Sequence, residues 1–373
     1  MRADCDVAIR QGRITDDFRI RALLPTLRFI LRRGGFVRIV SYLGRPGGRV
    51  HEELSMRPIA RRLAQLLNRK VVFIANPFDS AVRRRLRDTN QILFFENIRF
   101  WPEEEKNDPK FARAFAQWGD IFVNEAFANT HRAHALVVAI TRFLPSFAGL
   151  QLMREIEALA HIHRNPKRPF VAIVGGAKIE TKLPLIWKFL HEADHVLIGG
   201  ALANTIFAYQ KKDVGASVID HHVYAALGKG KFLKNKKLIL PSDLVIAPSL
   251  HADAPIHVIA TGQPVNQDEY IVDIGPKSQK QFTAILKDAK TVVWNGPLGL
   301  AEIRQFAGGT KTIAHFLRTL KAFKMVGGGD TVAILNRYNL LKGFSHVSTG
   351  GGAMLEYLAG KKLPGIEALK RRN

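Results

Sequence analysis

Cysteine is almost missing: Cys5 is the only one among 373 residues, so no disulfide can form within the chain. That absence fits a reducing compartment, and a lone thiol reads as a small apolar side chain rather than a nucleophile. Long apolar runs are missing as well. The stretch Ala133 to Leu150 comes nearest, but Arg142 and Pro145 interrupt it, short of the roughly 20 residues that span a bilayer. The charged start from Met1 to Gln11 has no signal-peptide pattern. A soluble, cytoplasmic chain with no membrane partner is expected. Acidic residues are scarce, 32 against 56 Lys+Arg, for a net charge of +24. A nucleic-acid arm would concentrate that excess, and only Arg83 to Arg87 and Gly228 to Lys237 come close. The charge therefore reads as a polyanion-tolerant surface, without a specific nucleic-acid partner. Two phosphate signatures are missing too. GxxxxGK[ST] does not occur and no GxGxxG follows a strand, which excludes a Walker-type loop and a dinucleotide fingerprint.

The chain does contain an alternation of short β-branched or aromatic runs with amphipathic helical stretches. Strands are expected at Phe36 to Ser41, Lys70 to Ile74, Ile92 to Phe95, Ile121 to Val123, Phe170 to Val174, His195 to Ile198, Lys237 to Leu240, Thr291 to Trp294 and Lys324 to Val326. Helices are expected at Met56 to Asn68, Pro109 to Trp118, Pro184 to Glu192 and Thr310 to Leu320. This order predicts an α/β fold with parallel sheets covered by helices. The length suits two domains. Their boundary is expected between Pro145 and Pro169, where one helical stretch, Leu150 to Arg164, would connect the halves and serve as a hinge axis.

Near the end, VGGGDT (Val326 to Thr331) and STGGGA (Ser348 to Ala353) each close an apolar run and open a helical pattern. Such turns let backbone N–H groups approach an anion without Cβ interference, beside the positive end of a helix. Asp330 would repel a bare phosphate, so a metal–nucleotide complex is the implied ligand. Other glycine turns follow strands in the same half: GGAKIETK with Lys178 and Lys182, GALAN from Gly200, and NGPLGLAE with Asn295 and Glu302. Together they would floor a mononucleotide site. In the first half the loops after strands carry arginine instead: Arg19, Arg45, Arg99 and Arg132, the last flanked by His131 and His134. Their planar forks suit phosphate and carboxylate oxygens. In open α/β sheets, ligands collect outside the carboxyl ends of the strands.

With these loops in view, the sequence resembles phosphoglycerate kinases over almost its whole length. The resemblance rests on ITDDFRIRALLPT, SYLGRP, FFENIRFWPEEEKNDP, THRAHA, GGAKIETK, DIGPK, VVWNGPLG, VGGGDT and STGGGAMLEYLAGKKLPG, in that order. It implies two Rossmann-like three-layer domains: residues 1–149 for phosphoglycerate, a connecting helix over 150–165, and residues 166–354 for nucleotide, with a tail over 355–373 returning to the first. It implies reversible phosphoryl transfer from 1,3-bisphosphoglycerate to ADP, giving 3-phosphoglycerate and ATP, with Mg2+, in a cytoplasmic monomer. Matched position by position, it implies that Asp4, Asp6, Arg19, Tyr42, Arg45, Arg99 and Arg132 hold the phosphoglycerate. It implies that Gly175, Lys178, Lys182, Gly199, Gly200, Asn295, Pro297, Glu302, Gly328, Gly329, Asp330 and Thr331 hold the nucleotide. Arg19 and Lys178, with the amides of Gly328 and Gly329, would steady the transferring group, and Asp330 would sit at Mg2+.

The chain departs from the family pattern at several positions. Asp-Cys-Asp stands for the usual Asp-Phe-Asn, Tyr42 for a histidine, NEAFANTHR for NDAFGTAHR, and Ala201 for a third glycine. The chain also opens almost at the substrate motif. These changes predict weakened substrate binding rather than a different reaction. The alternatives are a degenerate nucleotide-binding homologue with little turnover, and a basic nucleic-acid-binding protein on the same scaffold.

Overall fold

The computed structural model describes residues 1–86, 89–177, 180–228 and 232–370. The chain divides into two compact units, Met1–Glu157 with the segment from Lys361 onward, and Ala158–Gly360. The division falls inside the helix Leu150–Arg164.

In the first unit, parallel strands Val71–Ile74, Ile92–Phe95 and Arg38–Ile39 are hydrogen-bonded in that order. A further parallel pair joins Phe122–Asn124 to Ser146–Ala148. The first three residues stitch the two groups together. Arg2 N–H donates to Val123 O at 2.8 Å, Ala3 N–H donates to Val40 O at 2.8 Å, and Arg2 bridges both Val40 and Asn124 in parallel. Asp4 therefore follows directly on a segment that bridges the two groups in parallel, on the carboxyl side where α/β sheets place their ligands. The strand Ile92–Phe95 is apolar at every position because both faces are covered. Ile92 and Phe94 pack with Leu27, Ile59 and Leu63, whereas Leu93 and Phe95 pack with Phe111, Phe115 and Trp118 on the other side. The helix Arg57–Leu67 starts with proline in its first turn and ends at Asn68, whose φ of 50° is a left-handed cap.

The second unit holds a six-stranded sheet with every pair parallel. Its order is Leu238–Ile239, His195–Ile198, Phe170–Val174, Thr291–Asn295, Phe323–Gly327 and His346–Val347. The chain winds outward from Phe170–Val174 in one direction and from Thr291–Asn295 in the other. The crevice between these two central strands is the topological switch point. Trp294, Phe282 and Leu317 fill the core beneath it.

A second sheet was not expected. Asp243–Ala247, His257–Ala260 and Tyr270–Ile274 form an antiparallel group with Asp243–Ala247 in the centre. The link from Ala247 to His257 is shorter than the dozen or so residues that a parallel crossover needs, so that pair returns antiparallel, and Tyr270–Ile274 joins the other edge of Asp243–Ala247 in the same direction as His257–Ala260.

Candidate functional sites in the two units

In the first unit the site grows around Asp4. Its carboxylate is buried, and Oδ1 accepts from Arg19 Nη1 at 3.2 Å, from Tyr42 Oη at 3.4 Å and from the Asp6 amide at 3.4 Å. Oδ2 is buried with no hydrogen-bond partner among the described residues. Burial pushes the Asp4 carboxyl up, Arg19 counters that, and Asp6 adds to it. The nearby Asp4 carboxylate in turn raises the Arg19 guanidinium. Arg19 also donates to the backbone oxygen of Asp6 at 3.1 Å.

Tyr42 and Asp6, two of the departures from the family pattern, are engaged here. The Arg99 guanidinium stacks over the Tyr42 ring at 3.9 Å and donates to Gly44 O at 2.7 Å. The Asp6 carboxylate accepts from the Gly44 amide at 2.9 Å. Burial raises the Tyr42 phenol, and the Asp4 and Asp6 carboxylates add to the rise. Asp4, Asp6, Arg19, Tyr42 and Arg99 thus form one connected group. Arg45 and Arg132 are exposed on adjoining loops, and among the described residues neither makes a hydrogen bond or ion pair with it.

Arg2 was missed by sequence reasoning. It is fully buried, donates to Glu104 Oε1 at 2.9 Å, lies 5.5 Å from the centre of the Tyr42 ring, and keeps Nε and Nη2 unpaired among the described residues. The available signal was an arginine two residues before Asp4, in a strand that must be covered on both faces. Beside it, burial lowers the His134 imidazole to about 3, with Arg2, Arg99 and Arg132 reinforcing the shift. Burial also raises the Glu104 carboxyl.

Glu125, another departure, sits away from this group. It accepts from the Thr26 hydroxyl and from the amides of Gln151 at 3.1 Å and Leu152 at 3.4 Å, at the start of the helix Leu150–Arg164. Cys5 is buried and its thiol is pushed up to about 12 by burial, which makes it inert packing.

In the second unit, glycine loops meet backbone to backbone at the switch point. Gly175 N–H donates to Asn295 O at 2.9 Å and Gly176 N–H to Pro297 O at 2.8 Å. A Cβ on Gly175 would come within 2.1 Å of Pro297 O, and one on Gly296 within 2.0 Å of Gly175 O. Gly200 combines a φ of +61° with a hypothetical Cβ 2.7 Å from Gly176 N. No side chain can enter this floor, so these positions need glycine. Gly199 backs onto Leu298. Lys182 is buried, and its ammonium donates to Gly175 O. Lys178 lies outside the described residues.

The third glycine loop completes the wall. Gly328, at φ +101°, caps the helix Gly329–Arg337. Asn295 Nδ2 donates to Gly327 O at 3.0 Å, and the Thr331 hydroxyl accepts from Gly296 N–H at 2.8 Å. Gly329 faces open space. Asp330, in the first turn of that helix, is exposed. A cavity of about 160 Å3 opens here, lined by Gly176, Gly200, Pro297, Glu302 and Asp330 among others. It joins backbone donors and a helix N-terminus to apolar side chains such as Leu250, a combination that suits a phosphorylated ligand with a flat apolar part.

Comparison with known proteins gives the family. A family model described as phosphoglycerate kinase matches residues 1–361. The chain is 42% identical to a phosphoglycerate kinase of Moorella thermoacetica, an alignment covering 100% of this chain and 96% of that protein. It is also 42% identical to one of Herpetosiphon aurantiacus, covering 99% and 95%. Among solved structures it is similar to phosphoglycerate kinase from Coxiella burnetii, with a TM-score of 0.83 and 36% identity over 99% of this chain and 94% of that one. The enzyme from Pyrococcus horikoshii matches with a TM-score of 0.86 and 29% identity, covering 99% and 95%. Sequence and architecture agree along the whole length: the chain belongs to the phosphoglycerate kinase family.

Proposed function

We infer that the protein is a phosphoglycerate kinase that moves a phosphoryl group reversibly between 1,3-bisphosphoglycerate and ADP. The observation that carries this reading within the family is the buried Asp4 carboxylate, with one oxygen unpaired among the described residues. It is held by Arg19 and Tyr42, and Tyr42 in turn lies under Arg99. An acceptor of this kind, ringed by guanidinium groups, suits a ligand that carries both hydroxyl and anionic oxygens. The glycine-floored cavity of the second unit supports ADP and ATP as the other substrates.

In the forward direction the bond between the acyl carboxylate oxygen and phosphorus breaks, and a β-phosphate oxygen of ADP bonds to that phosphorus. Both oxygens are anionic, so no general base and no covalent enzyme intermediate are needed. Catalysis then rests on positioning and on offsetting charge. Arg19 is the cation assigned to the group in transfer, with Lys178 as its counterpart from the nucleotide side. The amides of Gly328 and Gly329 would face the same oxygens. Arg45, Arg99 and Arg132 would hold the phosphoglycerate, and Asn295, Thr331 and Lys182 the nucleotide phosphates.

Mg2+ suits this donor set. Among the described residues no group of three or more His, Cys, Asp or Glu could cage a metal. Asp330 offers one exposed carboxylate beside the cavity, and Mg2+ commonly binds through one carboxylate with substrate phosphates. Bound there, it would offset phosphate charge. A cytoplasmic monomer is the form proposed; no described helix is long and apolar enough to cross a membrane.

A coupled assay of ATP consumption with 3-phosphoglycerate tests the reading. Turnover in the ordinary enzyme range of about 1–1000 s⁻¹ is expected. Nucleotide binding without turnover would instead favour a degenerate homologue.

A further inference from the structure

We propose that Asp273 is a positioning residue for nucleotide affinity, holding in place the wall of the cavity in the second unit. The proposal rests on the reading of that cavity as the nucleotide site.

Asp273 lies in the strand Tyr270–Ile274 and is buried, with 4% of its surface exposed. Its Oδ1 accepts from the Ile274 amide at 2.9 Å, and its Oδ2 from the Gly309 amide at 2.6 Å, in the first turn of the helix Gly308–Thr319. No cation pairs with it among the described residues; burial raises its carboxyl to about 7, against which the backbone amides of Gly309 and Ile274 and the positive end of a helix act. Three glycines crowd it. A Cβ on Gly299 would fall 2.5 Å from Oδ1, one on Gly309 2.6 Å from Oδ1, and one on Gly308 3.3 Å from Oδ2.

Gly299 belongs to the loop that follows Asn295, and this loop is pinned at two further points. Leu298 N–H donates to the Thr310 hydroxyl at 3.0 Å, and Leu300 N–H donates to Val272 O at 2.8 Å. Asp273 thus stands where the strand, the loop and the helix meet. Asp273, Gly299, Leu300 and Glu302 line the same cavity as Gly176 and Gly200. Where the loop stands relative to the glycine floor fixes the width of the cavity, and the carboxylate is the spacer that fixes it.

Replacing the carboxylate by an amide leaves the volume nearly unchanged but makes one of the two oxygens a donor. That donor would face another donor, the amide of Gly309 or of Ile274, and the wall must shift to separate them.

The test compares wild type with Asp273→Asn and with Gly299→Ala, whose methyl group would press from the loop side on the carboxylate and on the backbone of Val272 and Asp273 behind it. Expected in both is a rise of about tenfold in KM for ATP, matched by weaker ADP binding in calorimetry. The KM for 3-phosphoglycerate and kcat at saturating ATP should stay within about twofold. A general loss of packing would lower kcat and disturb both substrates together, and that pattern in both variants would overturn the proposal. So would unchanged ADP affinity in both. If Asp273→Asn does not fold, Gly299→Ala decides alone. Should wild type itself fail to bind ADP, the nucleotide reading of the cavity falls, which is a different result from binding that the variants leave untouched.

Discussion

At the residue scale, the proposed chemistry draws in the first unit on a few charged side chains. In the proposed mechanism Arg19, besides pairing with Asp4, faces the charge that develops as the phosphoryl group transfers. Arg19→Ala should therefore lower kcat by at least about a hundredfold while nucleotide affinity changes little; retention of a third of wild-type turnover would remove it from the mechanism. The two departures beside it separate once their contacts are known. Asn in place of Asp6 keeps an oxygen for the Gly44 amide and removes a negative charge that raises Asp4. Asp6→Asn should lower the KM for 3-phosphoglycerate several-fold. Tyr42→His withdraws the ring on which Arg99 stacks and a hydroxyl donor to Asp4, and should raise it. Equal effects of both changes would contradict this division. From sequence alone both residues looked like losses of the same kind, because neither a stacking partner nor an acceptor reached across a loop can be read from spacing. His134 adds a pH dependence. Its imidazole is lowered from 6.5 to about 3 in the folded chain, so between those values the unfolded chain binds more protons and stability rises with pH. That contribution is complete above about 6.5 and is lost as pH falls toward 3. Urea titrations of wild type and His134→Gln from pH 7 to pH 4 should show a shallower acid loss in the variant.

At the element scale, period and composition carried most of the sheet framework. The strands Ile92–Phe95, Phe170–Val174 and His195–Ile198 and the helix Leu150–Arg164 stand where the residue pattern put them. Each is a continuous apolar run or a clean amphipathic repeat, so local pattern and burial agree. The first-unit strand expected over Phe36 to Ser41 is only Arg38–Ile39, with its neighbours held by bridges to the first residues. The antiparallel sheet of Asp243–Ala247, His257–Ala260 and Tyr270–Ile274 was not legible. His257–Ala260 is largely exposed and shows no apolar alternation, and pairing direction is decided by connections rather than by the strand itself. Glu125 shows the limit from the other side. The residue was singled out as a departure, but its role needs a helix start that lies 25 or so residues away in sequence to be brought against it. There it satisfies two backbone amides and the Thr26 hydroxyl. Glu125→Ala should cost about 1–3 kcal/mol in denaturant unfolding. A cost near zero would mean that water replaces those bonds freely.

At the scale of the whole molecule, the dominant property is charge. A net +24 over 373 residues leaves a positive field that no local pairing cancels. The surface ion pairs that do occur, such as Arg21 and Arg62 with Asp17, or Arg168 with Asp194, neutralise single sites. The substrates assigned to the chain are all anions, so the same field that a nucleic-acid reading would exploit can draw small phosphorylated molecules toward both units. The two uses differ in how salt acts on them. For steering and binding of small anions, kcat/KM for 3-phosphoglycerate and for ATP should fall several-fold between about 20 and 300 mM sodium chloride, as the Debye length shrinks from tens of ångströms to a few. Over the same range kcat at saturating substrate should stay nearly constant, because charge offset by fixed groups in the sites is screened far less. A fall in kcat alongside kcat/KM would point to loss of the folded state at high salt, and thermal unfolding in the same buffers separates that outcome. A flat kcat/KM would show that the positive excess faces away from the substrates' approach. Adding short single-stranded DNA at 20 mM salt completes the comparison: competitive inhibition that 150 mM salt abolishes is expected of a general positive field, whereas inhibition that survives 150 mM salt would require a built nucleic-acid site that the arginine loops alone do not explain.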